Sequence, residues 1–407
     1  MSLPAGPGEM ARLREEVAAR GGEVPAMLPA AAYTSGEVLA WELRHLFAGT
    51  WSCLGRLAEL LPDDVGGHQA GKPATQRAVR VGDVSALLVR DPGGPPDRGL
   101  RMFANTCRHR AHELLPDAGT SAAHSVVCPY HAWSYDLGGR LRVAPGYRDE
   151  PGFDPTAYSL VELPVAIWCG WVFGHALHPL GHPDVVPFAE HLGELGTVVE
   201  PYRPESLSLA DRHSYEIAAN WKIVAENYHE CYHCPLIHPE LCRVTPPASG
   251  DNYHLPGAWV GGSMVLRDGM ATMSLTGESG GRPLPGVSPT AVEYVHLLPN
   301  LLVSAHPDYV MTHRLVPLAP DRTWVECSWL LLPDADGRVP DAAYAVEFWD
   351  ITNRQDWAAC ESVQRGLSSP HYAPGPFSPG EDAVERFVGL ISQGYVGQPW
   401  HADRPAR

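Results

Sequence analysis

Two short segments constrain this chain most. Cys107-Arg108-His109 and Cys128-Pro129-Tyr130-His131 each offer one thiolate and one imidazole, with eighteen residues between them. Each follows a β-prone run and reads as a loop at the end of a strand. Two such loops are what a two-iron, two-sulfur cluster needs when two imidazoles replace two thiolates on one iron. The neutral nitrogens raise the potential above that of an all-thiolate cluster, so the centre can accept electrons from a ferredoxin. Structural zinc is the competing reading, because the same four donors suit a tetrahedral ion. The order Cys, His, Cys, His departs from the two cysteines then two histidines of zinc fingers.

A second stretch is equally crowded. Asn220 to Pro239 holds three histidines, two glutamates and two cysteines. On a helix, Glu226, Glu230 and His233 share one face, and His238 follows just past Pro235. An oxygen-activating iron takes two histidines and one carboxylate on one side. His233 and His238 fit that role if the helix loosens at Pro235. The carboxylate must come from elsewhere, because Glu226 and Glu230 precede His233 on the same helix. Glu230 is expected to connect the iron to an electron source. His229 and His233 have the spacing of a zinc pair too, but His229 is read as a bystander. Cys231 and Cys234 form a C-x-x-C without a second cysteine pair nearby, so packing or support of the site is expected of them.

Composition narrows the class. The 407 residues predict two domains, or one large one with excursions. Apolar residues at 44% and charged residues at 19% fit a soluble globular chain. A net charge of -17 and the lack of any Lys/Arg run exclude a nucleic-acid surface. No apolar run approaches a membrane span. The N-terminus lacks the layout of a signal peptide, and the nine cysteines are odd in number. A reducing cytoplasm is therefore expected, where clustered cysteines mean metal or catalysis before disulfides.

Helical periodicity marks residues 8–21 and Tyr33 to Gly49. Short strands are expected at Ala78–Val81, Ser85–Val89, Leu100–Ala104, His124–Val127, Trp133–Tyr135 and Leu141–Val143. Ala166 to Pro204 reads as a connector whose His175, His178, His182 and His191 form no tight cluster. Strands follow at Ser206–Ala219, Trp259–Leu266 and Met270–Leu275, then a meander over Val292–Pro333. Ala342–Leu367 and Pro379–Ile391 read as helices. The expected fold is α+β: N-terminal helices (1–47), a small all-β domain (48–165), and a catalytic domain with a helix-covered antiparallel sheet (166–407).

Asn105-Thr-Cys107-Arg-His109-Arg110 and Cys128-Pro-Tyr-His131-Ala-Trp133-Ser-Tyr135-Asp-Leu-Gly-Gly139 resemble the Rieske motif of ring-hydroxylating oxygenase α subunits. The family usually has Gly where Ala111 stands, so Ala111 must tolerate that loop's backbone. Glu226-Asn227-Tyr228, Glu230-Cys231-Tyr232-His233 and His238-Pro239 resemble the family's iron-binding segment. Phe348 to Gln364 resembles its C-terminal ligand helix, where the ligating Asp lies five residues before a Glu. That selects Asp356 over Asp350.

The resemblance implies a [2Fe–2S] Rieske cluster on Cys107, His109, Cys128 and His131, and mononuclear Fe(II) on His233, His238 and Asp356. Glu230 and Asn227 are the expected catalytic residues, Glu230 bridging His233 to the neighbouring subunit's cluster. A homotrimer follows, fed by an NAD(P)H-dependent reductase or ferredoxin. The chain would use O2 to oxidise a small molecule. The Glu-Asn-Tyr-x-Glu-Cys-Tyr-His-Cys form looks most like the branch that N-demethylates betaines, whose cationic head suits aromatic side chains such as Tyr228, Trp259, Tyr294 and Trp349. Hydroxylation of an aromatic or alicyclic compound is the alternative, and a pure electron carrier the remote one.

Overall fold

The computed structural model describes residues 8–19, 26–62, 73–91 and 99–400. The chain forms two compact units, Glu42–Pro187 and a second built from Met1–Trp41 with Phe188–Arg407.

The Glu42–Pro187 unit is all-β in its sheets. Five strands pair in the order Thr120–Ala123, Ala74–Val81, Val84–Arg90, Leu100–Ala104, Glu162–Leu163. From Ala74 to Val79 buried and half-buried residues alternate, as the period of two requires. A small sheet of Val126–Val127, Ser134–Tyr135 and Leu141–Val143 lies after the first cysteine loop. Leu87, Phe103, Trp133 and Tyr135 pack with Cys107 and Cys128 into one apolar cluster. The unit extends past residue 165 because Ser52–Arg56 pairs antiparallel with Trp171–Gly174, which also pairs with Val165–Trp168. The expected connector thus opens with a hairpin that completes this unit.

The other unit centres on a seven-stranded antiparallel sheet. Its order is Ser208–Ile217, Arg322–Leu331, Tyr309–Ala319, Leu301–Ala305, Ala291–Leu297, Trp259–Val265, Asp251–Asn252. The expected strand at Met270–Leu275 is instead a loop. Gly277, at φ +77°, turns the chain so that Ala271 N donates to its carbonyl. The buried Asp308 carboxylate then accepts the hydroxyls of Thr272, Ser279 and Tyr344.

Register puts His213, Cys327, His313, Leu302 and His296 in one row across the sheet. The helices Trp221–Tyr228 and Ala343–Leu367 cover this face. Tyr228 Oη bonds to Val303 O and Ser304 Oγ, and His313 Nε2 meets Asn353 Oδ1 at 3.1 Å. Asn220 caps the first helix by accepting from Lys222 N. Its own N–H donates to Gln364 of the second helix at 2.8 Å. Tyr33 ties the N-terminal helices to the same place, donating its hydroxyl to the buried Glu226 at 2.7 Å.

Burial fixes the charge state of this layer. His296 and His313 are pushed down to about 4, and His229 and His306 well below the ordinary histidine value. The unfolded chain takes up protons on these four below about pH 6.5, and the folded chain does not. Stability present above that pH is therefore lost as pH falls, by about 1.4 kcal/mol per pH unit for each ring. Glu226, raised by burial to about 7, opposes this with a single proton. The urea midpoint should drop steeply between about pH 6.5 and 5; a flat midpoint would contradict neutral burial.

Candidate functional site: two donor sets

The stretch around His233 is not one helix. Trp221–Tyr228 ends at Tyr228, and two further helices run Cys234–Ile237 and Pro239–Val244. Pro235 and Pro239 impose the breaks, because proline is tolerated in a first turn and not in a helix interior. His233 and His238 each occupy the residue before such a start. The expectation that Glu226, Glu230 and His233 line one helix face is thus corrected. Glu230 instead closes the intervening turn, accepting the backbone N–H groups of Tyr232 and His233.

The breaks bring three atoms together. His233 Nε2 lies 3.0 Å from His238 Nε2. Asp356 Oδ1 lies 3.3 Å from the first and 2.9 Å from the second. Glu230 Oε1 accepts from His233 Nδ1 at 2.5 Å, and Gln355 Oε1 accepts from His238 Nδ1 at 2.7 Å. Those bonds place each ring proton on Nδ1 and turn each Nε2 lone pair inward. Two lone pairs and a carboxylate oxygen facing one another repel unless a cation lies between them. An ion bonding each at roughly 2.1 Å and right angles would separate its donors by about 3 Å, which the observed triangle matches. Burial opposes charge on His233, but Asp356 and Glu230 carry it up to about 9. Burial likewise raises Asp356, yet His233 and His238 hold it below the usual carboxylate range.

Neighbouring candidates fall away. His229-Glu230-Cys231-Tyr232-His233 spells the H-E-x-x-H of zinc proteases, but no helix runs through it, and His229 Nε2 faces His296 Nδ1 at 3.2 Å. Cys234 Sγ is 4.0 Å from His233 Nε2, but it is bonded to Cys231 and has no thiolate to give. That disulfide differs from the packing role expected of the C-x-x-C. Asp350 is engaged by Tyr215 and Arg354. Asn227 lines the adjoining cavity, which measures about 640 Å³. Gln355 was missed by sequence reasoning; its only signal was adjacency to Asp356.

The second donor set lies in the Glu42–Pro187 unit. Its two loops repeat one backbone pattern. Ala111 N donates to Cys107 O and Cys107 N to His112 O; Ala132 N donates to Cys128 O and Cys128 N to Trp133 O. Ala111 and Ala132 both adopt the left-handed conformation, at φ +56° and +57°. Ala111 therefore does tolerate the backbone its loop requires. Asn105 anchors the first loop, its side chain accepting from Leu114 N and Leu115 N and donating to Ser85 Oγ. Tyr135 Oη meets Cys107 Sγ at 3.3 Å. The cysteines are buried, while the imidazoles of His109 and His131, 4.7 Å apart, are partly exposed. His109 stacks on Trp133, and its Nδ1 is buried without a protein partner. Two buried sulfurs and an orphaned imidazole nitrogen fit a two-iron cluster with thiolates on the inner iron.

Residues 63–158 match the sequence model of the Rieske [2Fe-2S] domain, and residues 204–393 that of the ring hydroxylating alpha subunit (catalytic domain). The glycine betaine monooxygenase oxygenase subunit of Chromohalobacter salexigens is 30% identical over 384 residues, spanning 86% of this chain and 81% of its own. The chain belongs to the Rieske non-haem iron oxygenases. These oxygenases carry a Rieske [2Fe–2S] cluster and a mononuclear iron, groups whose chemistry the two donor sets fit. A carnitine monooxygenase oxygenase subunit of Acinetobacter pittii is 34% identical over 213 residues, or 52% of each chain. Among solved structures, a quaternary ammonium Rieske monooxygenase with L-carnitine aligns at TM-score 0.68 and 22% identity, covering 96% of this chain and 99% of that one. A naphthalene 1,2-dioxygenase of Rhodococcus aligns at 0.69 and 18%, covering 95% and 97%, so the fold spans both chemistries.

Gln355→Leu removes the acceptor that orients His238. Ferrous affinity should fall about 10–100-fold, read by titration of the iron-depleted protein, with the cluster's visible spectrum unchanged.

Proposed function

We propose that this oxygenase inserts oxygen into a methyl group of a quaternary ammonium or betaine-like compound, releasing it as formaldehyde. The carrying observation is the cavity's charge. Glu230, Asp356 and Asp382 line it with the rings of Tyr228, Tyr232, Tyr294, Trp349 and Trp357, and no lysine or arginine is among the described lining residues. Carboxylates and aromatic faces attract a cation. An aromatic acid brings only negative charge to these carboxylates and no cationic head for them to attract. A betaine's carboxylate would be met by neutral donors, and the Tyr294 hydroxyl and Trp357 indole both lack protein partners. The names of the relatives point the same way.

His233, His238 and Asp356 would hold the iron, which supplies oxygen activation when bound. Cys107, His109, Cys128 and His131 would hold the cluster, which supplies stored electrons. Glu230 keeps a proton on His233 Nδ1, and Gln355 does so on His238 Nδ1, fixing both rings. Buried Val224, Leu241 and Thr352 exclude water from the cavity wall. We further propose a head-to-tail homotrimer in which Glu230 meets His131 of the partner subunit, and a separate reductase or ferredoxin supplied by NAD(P)H. A cytoplasmic location follows from that need; among the described residues no helix is long and apolar enough to cross a membrane. Within this reading Glu42–Pro187 is the cluster unit and Met1–Trp41 with Phe188–Arg407 the catalytic unit, so the expected boundary near residue 165 moves to Pro187, with Asn227 beside the substrate.

With a generic reductase, methylated quaternary amines should give stoichiometric formaldehyde, and benzoate-type acids none. Hydroxylated ring products from the acids would favour the alternative. Glu230→Gln should retain both metals and a reducible cluster but lose most turnover, read by single-turnover oxidation of the cluster; unchanged turnover removes the bridging role.

A further inference from the structure

We infer that His178, His182 and Asp184 form an additional metal site, for a divalent ion of the zinc class, separate from both iron-binding donor sets. Along the sequence these residues fall within seven positions. The fold gathers them. Gly181, at φ +84°, turns the chain so that His182 N donates to Pro179 O, and Val185 N then donates to His182 O. Pro179 and Pro183 fix the backbone on either side. The rings of His178 and His182 stack at 4.3 Å, and Asp184 Oδ2 lies 3.8 Å from His182 Nδ1. One donor atom from each of the three lies within 4.8 Å of the others. A tetrahedral ion with bonds of roughly 2.1 Å spaces its donors by about 3.4 Å. Closure therefore asks for about 1 Å of movement from side chains that are half-buried or exposed.

A second observation points the same way. His175 is buried at 1% exposure, and neither of its ring nitrogens has an aligned hydrogen-bond partner. Its ring lies 5.8 Å from that of His178. Buried polar groups are normally paired, and here only backbone near Gly49 approaches the ring. Two or three imidazoles with one carboxylate suit zinc, cobalt, nickel or copper over magnesium or calcium. The donor inventory repeats that of the iron triad, two histidines and one aspartate, on an accessible loop.

The test uses the holoenzyme with both iron centres loaded. It is dialysed to equilibrium against zinc chloride, and the metals are counted by atomic emission. Wild type should retain one zinc per chain beyond its iron. So should His254→Ala, which removes an exposed histidine elsewhere. His182→Ala and Asp184→Asn should lose that zinc while keeping iron content and turnover. Zinc should raise the thermal midpoint of wild type and leave that of His182→Ala unmoved. Equal zinc in wild type and His182→Ala would overturn the assignment. So would zinc gained only at the expense of iron, since that would place it in the catalytic triad.

Discussion

The mutual repulsion of His233 Nε2, His238 Nε2 and Asp356 Oδ1 is the constraint around which the catalytic unit is built. Three acceptors within 3.3 Å of one another are unfavourable in any folded chain that leaves them uncompensated. The surrounding structure supplies what holds them there. Glu230 and Gln355 take the outward ring protons, and the prolines set the backbone on which both imidazoles turn. An iron held there would enter an arrangement that the protein has already oriented.

The layer beneath is chosen to stay uncharged. A row of histidines on the central sheet would be hazardous beside a metal if any could compete for it. Burial keeps His229, His296 and His313 neutral, and each spends a nitrogen on a neighbour: His229 on His296, His296 on Pro299 O, His313 on Asn353. The imidazoles that could have confused the site are thereby committed to packing.

Much of this was legible from residues alone. The cysteine and histidine pairs stood out as candidate cluster ligands because spacing within a loop is a local property. His233 and His238 were legible for the same reason. Asp356 was not, since nothing local joins positions more than a hundred residues apart, and family resemblance had to select it. The broken helix was misread because periodicity registers Glu226, Glu230 and His233 but not how two prolines divide the chain. The hairpin Val165–Trp168 with Trp171–Gly174 was hidden in a segment rich in Pro, Gly and His, and its partner Ser52–Arg56 is remote. His178 and His182 read as forming no tight cluster, because only the turn at Gly181 brings them together with Asp184.

The helix Ala343–Leu367 deserves a mechanical reading. It is 25 residues long, or about 37 Å of rod. Asp350 holds Tyr215 near one end, Asn353 holds His313, Gln355 and Asp356 meet His238, and Gln364 holds Asn220 and the carbonyl of Tyr33. One beam therefore sets the height of the carboxylate ligand, the tautomer of the opposing imidazole and the seating of the N-terminal wrapping. A sub-ångström slide along its axis would be felt at all of them together, so that the precision of the iron site is inherited from the stiffness of a single element.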